Sequence, residues 1–168
     1  VTHDPTGADG ATDPTWESWR EVLVTAALGL GDGESVTVEA PQSAARMARG
    51  EPRRMPFLPP KRSLTRPWLR LTRVEDLLRG QCVGAEVFGG AFPWTAEEHA
   101  ALVGLGWHAS LADGPDYVRF WPDDVPGVPF LARSDAERAA DVVAATLHEV
   151  VSPPREGADD PLPAILRA

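Results

Sequence analysis

The chain has 168 residues, 43% of them hydrophobic and 24% charged, with a formal net charge of −9. That is one domain's length with enough apolar material for a packed core, which excludes wholesale disorder. The acid excess speaks against a phosphate-backbone partner, the single cysteine (Cys82) excludes an internal disulfide or multi-cysteine metal site, and no apolar run reaches the ~20 residues of a membrane helix.

Residues 1–13 show no apolar periodicity and read as a tail without the basic start and apolar stretch of a secretory signal, which predicts a cytoplasmic protein. Asp13 and Pro14 give a helix-start signal. Trp16, Trp19, Val22, Leu23, Ala26, Ala27 and Leu30 then fall on one face of an amphipathic helix, closed by Gly29, Gly31 and Gly33. Val36, Val38 and Ala40 alternate with Thr37 and Glu39 as a half-buried strand, stopped by Pro41.

The segment 41–67 carries Pro41, Pro52, Pro56, Pro59, Pro60 and Pro67, which forbid a continuous helix or a central strand. It reads as an insert, with room for one or two helical turns over Ser43 to Arg49. Two strand-like runs follow, Trp68 to Val74 and Cys82 to Phe88, joined as a hairpin by Glu75 to Gln81. Thr95 and Glu98 form a capping box at the start of a helix that Gly106 ends. Trp107–Leu111 and Asp116–Trp121 flank a turn-rich link and predict a second hairpin. Ser134 and Glu137 form a second capping box, opening a long Ala/Val-rich helix that Pro153 and Pro154 terminate. Residues 152–168 read as a tail, acidic at first, ending in an apolar hook of Leu162, Ile165 and Leu166 that can dock on its own or a neighbouring subunit.

The expected order is α-β-β-β-α-β-β-α within a single domain over 14–151. Strands in adjacent pairs with short links predict an α+β fold, an antiparallel sheet with helices on one face.

Charge is segregated. Residues 46–73 hold nine basic groups against one acid, Glu51, a local charge of +8, while the remainder carries −17. A basic arm folded back on, or solvated beside, an acidic body is one reading, and an arm that captures an acidic partner segment is another. Nucleic acid is disfavoured by the body's charge. The chain has no Asn, one Lys and one Ile against 15 Arg and 17 Pro. That pattern points to a GC-rich coding sequence, so arginine in place of lysine carries little functional weight.

Chemistry-bearing motifs are scarce. His99 and His108 lack the spacing of a ligand pair on one helical face, and no phosphate loop or nucleophile elbow is present. No cofactor or metal is expected. Cys82, in a strand pattern, reads as a small buried hydrophobe. The aromatic residues say more. Alternation places Trp68 with Arg70, Phe88 with Glu86, and Tyr117 and Trp121 with Arg119, each opposite the aliphatic set of its own strand. One sheet face is then aliphatic and takes the helices. The other, with Trp68, Arg70, Glu86, Phe88, Tyr117, Arg119 and Trp121, is left for solvent, a dimer partner or a peptide.

The element order, the Gly84-Ala85-Glu86-Val87 stretch, the Leu105-Gly106-Trp107 corner, the Asp116-Tyr117-Val118-Arg119 run and the Ala/Val-rich last helix together resemble the YbjN-like, type III secretion chaperone-like proteins, in particular the actinobacterial TY-Chap domains. The likeness covers residues 15–151 and departs at the 41–67 insert. It implies a small non-enzymatic adaptor or chaperone that binds a polypeptide client, commonly as a homodimer. Two other classes stay open at this point: an immunity-type inhibitor that binds a toxin through its acidic surface, and an enzyme with an unfamiliar site.

Overall fold

A computed structural model describes residues 15–50, 61–109, 114–151 and 162–167. The expected start signal at Asp13 and Pro14, most of the insert's prolines, Pro153 and Pro154 lie outside them.

Helix α1 (Trp16–Leu28) starts at Thr15, whose side chain accepts from the Ser18 amide while the Ser18 hydroxyl takes the Thr15 amide. The two orphan donors are satisfied reciprocally. Trp19, Leu23, Val24, Ala26 and Ala27 are buried, whereas Trp16 and Val22 are exposed, so the apolar stripe is narrower than its spacing suggests. Strand β1 (Ser35–Glu39) follows as expected.

The insert differs from expectation. Instead of helical turns it forms a short 3₁₀ turn over Gln42–Ala44 and then an antiparallel ribbon of β2 (Arg46–Arg49) and β3 (Arg62–Thr65). A two-residue-period ribbon at the margin of the domain tolerates the flanking prolines that a central strand would not.

Strand β4 (Trp68–Val74) falls where expected, but its partner β5 is Leu77–Cys82, joined by the two-residue turn Glu75–Asp76. The run 83–88 is not a strand. It leaves the sheet after Cys82, because Gly84 and Gly90 bring two backbones into contact and Gly84 also lies against the Pro115 carbonyl, leaving no room for side chains. Helix α2 (Ala96–Gly104) has the expected Thr95–Glu98 box. It ends in a Schellman motif, with the Trp107 amide donating to Leu102 O and the Gly106 amide to Val103 O, and Gly106 at φ +84°. Strands β6 (His108–Ala109) and β7 (Tyr117–Trp121) form the second hairpin.

Helix α3 (Arg133–Ala145) begins one residue before Ser134 with Ala132 as cap. The expected Ser134–Glu137 box is not formed, because with Ala132 at the cap Ser134 already lies inside the first turn, and Glu137 pairs with Arg133 at 2.8 Å instead. The helix widens to a π turn over Thr146–Val151, where the Thr146 hydroxyl donates to Val142 O and accepts the Trp107 indole N–H. Strand β8 (Ala164–Arg167) comes from the segment read as a tail.

The sheet is antiparallel throughout, in the order β6-β7-β5-β4-β1-β8, and the fold is α+β as expected, with β2, β3 and β8 added to the anticipated series. Helices α1 and α3 pack on each other and on the face built by Val36, Val38, Leu69, Leu71, Leu78 and Cys82. Each fully buried Leu or Val there contributes about 1.5–3 kcal/mol of apolar burial. No helix among the described residues is long and apolar enough to cross a membrane.

Candidate functional site

The seven residues that the sequence grouped on one face lie in three places. Trp68 and Arg70 project from β4 on the face away from the helices. The Arg70 guanidinium lies 5.2 Å from the Trp68 ring centroid, and its Nε donates to Thr37 Oγ1 at 3.2 Å. Residues paired across antiparallel strands share a face, so the register extends this surface. Leu166, Thr37, Arg70, Gln81, Val118 and His108 form one row across all six strands, and Thr72, Arg79 and Phe120 form the next. Phe120 is 41% exposed and Trp68 is half-buried.

Tyr117, Arg119 and Trp121 lie on the opposite, helix-covered face. Tyr117 and Trp121 are 1% and 0% exposed, and Trp121 packs edge-to-face on Trp107 at 6.0 Å between centroids. The alternation in β7 was read with the wrong sign. Its aromatic pair, not Val118 and Phe120, fills the core. The space comes from Gly80, where a Cβ would sit 2.5 Å from the Trp121 ring. Arg119 stretches beneath the Gly106 corner, donates to Leu105 O, and stacks 5.3 Å from the Trp121 centroid. Its work is to hold that corner.

Glu86 and Phe88 lie on a 3₁₀ turn outside the sheet. Glu86 is paired with Arg62 at 2.9 Å. Phe88 lies against the His99 ring, and His99 Nδ1 is 2.7 Å from the Tyr117 hydroxyl. Burial pushes the Tyr117 phenol up to about 12, with the nearby Cys82 adding to it, and pushes the Cys82 thiol up as well. A thiol so raised is not a thiolate near neutral pH.

Among the described residues, three ion pairs hold the basic arm against the acidic body. Arg46 makes a two-pronged bond to Glu98, Arg62 meets Glu86, and Arg66 meets Glu39. Burial alone would raise the Glu98 carboxyl, but the hydrogen bonds from Arg46 and Thr95 outweigh it and hold it below its ordinary value.

The sheet has two margins. Strand β6 is two residues long and β8 four. Beside β8 a groove of about 580 Å³ runs between it and α1, lined by Ser18, Glu21, Val22, Thr25, Ala26 and Ile165.

Among the described residues the antiparallel sheet is thus backed by helices on one face, uncovered on the other, and ends in short strands at both margins. The family model that matches this sequence, over residues 9–156, is TY-Chap3, described as T3SS (YopN, CesT) and YbjN peptide-binding chaperone 3. The chain belongs to the TY-Chap3 family. Neither a curated protein nor a solved structure matches it. As a TY-Chap3 member it is a domain of a peptide-binding chaperone family, and its partner class is polypeptide. The open-face residues that sequence reasoning missed include Gln81, Val118, Phe120 and Arg79. Gly80 was the signal that could have found them, since a glycine in an otherwise bulky core row marks where the facing strand sends its largest side chains.

Proposed function

We propose that this TY-Chap3 domain is a non-enzymatic adaptor that holds an extended client segment across the open face of its sheet, over Trp68, Arg70, Gln81, Val118 and Phe120. The observation that carries the reading is the one-sided cover: α1 and α3 lie against one face, while the other offers a continuous row of side chains from β6 to β8. Aromatic and arginine side chains of this kind carry most of the energy at protein interfaces. The face contacts a client through side chains, and Trp68 under Arg70 gives it an apolar floor with a cationic rim. The proposal includes a cytoplasmic setting and a homodimeric assembly.

The test is a tiled peptide array of the protein encoded next to this chain's gene, probed with the full chain. Trp68→Ala and Phe120→Ala are each expected to weaken binding about tenfold or more, while Val87→Ala, on the 3₁₀ turn away from the sheet, leaves it unchanged. Unaltered binding in both face variants overturns the reading. Binding that instead collapses steeply with salt moves the site to the acidic surface, as a toxin-neutralising inhibitor would require. Light scattering of the chain alone and with a bound segment reads the assembly.

A further inference from the structure

Strand β8 is the one strand of the main sheet that lies beyond the residues matched by the family model, which end at 156. It sits on the outer edge of β1 in antiparallel register, Val38 opposite Ile165 and Thr37 opposite Leu166. Its hold is light. Ala164 is exposed and Leu166 is 45% exposed, so among the strand's described side chains only Ile165 is half-buried, set against the groove beside α1. Just before the strand, the buried Trp19 indole N–H donates to Pro163 O at 2.8 Å. By contrast β1 is fixed from its other side by five paired residues of β4, with Val36 and Val38 wholly buried. Lifting β8 bares the β1 edge, together with Trp19 and the part of the core that Leu162 and Ile165 cover, while β4 keeps β1 in place; a bare edge is a template for another strand, and an incoming segment re-covers the same surface.

We propose that β8 is a resident self-ligand, occupying at the β1 edge a site that takes an extended segment of the same chemistry from a client. That segment has an aliphatic side chain where Ile165 lies and a proline two residues before it, whose carbonyl meets Trp19. The inference rests on the peptide-binding reading but uses the sheet's edge, not its face. A tethered strand competes at an effective concentration in the millimolar range. The apparent affinity for an incoming segment is reduced by the fraction of time the edge is closed.

The experiment uses the full chain and a fluorescent synthetic peptide with the sequence of residues 161–168, followed by anisotropy. Ile165→Asp in the chain ejects β8, and Ile165→Ala loosens it more mildly, while both leave β1 and the Trp19 indole intact to receive the peptide. Both are expected to bind the peptide at least about tenfold more tightly than the unaltered chain. Thr37→Cys/Leu166→Cys, placed across the ladder, locks β8 when oxidised and is expected to bind nothing, with binding restored to the unaltered level on reduction. A peptide with Asp in place of the isoleucine is the control and is expected not to bind. Equal or absent binding in every chain overturns the proposal. So does an Ile165→Asp chain that pairs with itself and ignores the peptide. Should Ile165→Asp fail to fold, Ile165→Ala and the locked chain decide the matter. The Trp68→Ala chain is expected to bind this peptide as the unaltered chain does, so failure of the face and failure of the edge are read separately.

Discussion

Tyr117 shows how a single side chain reports on the packing around it. It is the chain's only tyrosine, so the phenolate absorbance on alkaline titration follows one group. Burial raises its phenol from 10.0 to about 12. The neutral form is thus favoured in the fold. The stability it represents is fully present below pH 10, falls as the unfolded chain ionises first, and is gone above the folded value. A titration midpoint near 12 in buffer and near 10 in urea is the expected outcome; a native midpoint near 10 would place Tyr117 in water and undo the facing assigned to β7. This residue was misread in the sequence for a physical reason. Alternation tells which residues share a face but not which face is inside, and in β7 both sets are apolar or amphipathic. The missing sign lay across the strand pair, in Gly80 and in Trp107, whose indole reaches Thr146.

Among the elements, the β2–β3 ribbon is the one whose attachment can be tuned. Glu98 serves twice, as the third residue of the α2 capping box and as the anchor of Arg46. Glu98→Gln keeps the box and removes the charge. Its expected cost is about 0.5–1 kcal/mol at neutral pH, held low because the pair is partly solvated. The Glu98 carboxyl is held below its ordinary 4.5. Its contribution is therefore present above pH 4.5 and disappears as pH falls through the depressed folded value. Urea denaturation of both chains at neutral and acid pH measures this, and a difference that persists unchanged at acid pH contradicts it. Elements with local signals were legible: the α1 stripe, the Thr95–Glu98 box, β1 and β4. The Ser134–Glu137 box was not, because the helix starts one residue earlier, which puts Ser134 inside the first turn and leaves Glu137 to Arg133. The β5 boundary was missed for a non-local reason as well. Val83, Ala85 and Val87 alternate like a strand, yet Gly84 must pass under Pro115 and Gly90, and that crossing exists only in three dimensions.

For the whole molecule, stability is graded from the middle outwards. Strands β4 and β5 have neighbours on both sides and lie against α1 and α3, whereas β8 and the β2–β3 ribbon sit at the margins. Amide hydrogen exchange is expected to be slowest in β4, β5 and the buried turns of α1 and α3, and to report local opening in β8 and the ribbon well before global unfolding. Protection of β8 equal to that of β4 would show a rigid sheet margin. The α+β class and one-sided cover were legible because paired strands and amphipathic helices leave few architectures. The ribbon and β8 were not, since four-residue strands beside prolines have no periodicity to read.

The opposite margin bears on how many guests the sheet can take. Past Ala109, β6 contributes no further pairing among the described residues, and β7 runs straight into Pro122, which has no amide hydrogen to offer a neighbour. Among the described residues β6 therefore covers only Tyr117 and Val118 of β7, whereas β8 runs beside four of the five residues of β1. Uptake at β1 is one guest per molecule, since an incoming strand takes the single place that β8 vacates.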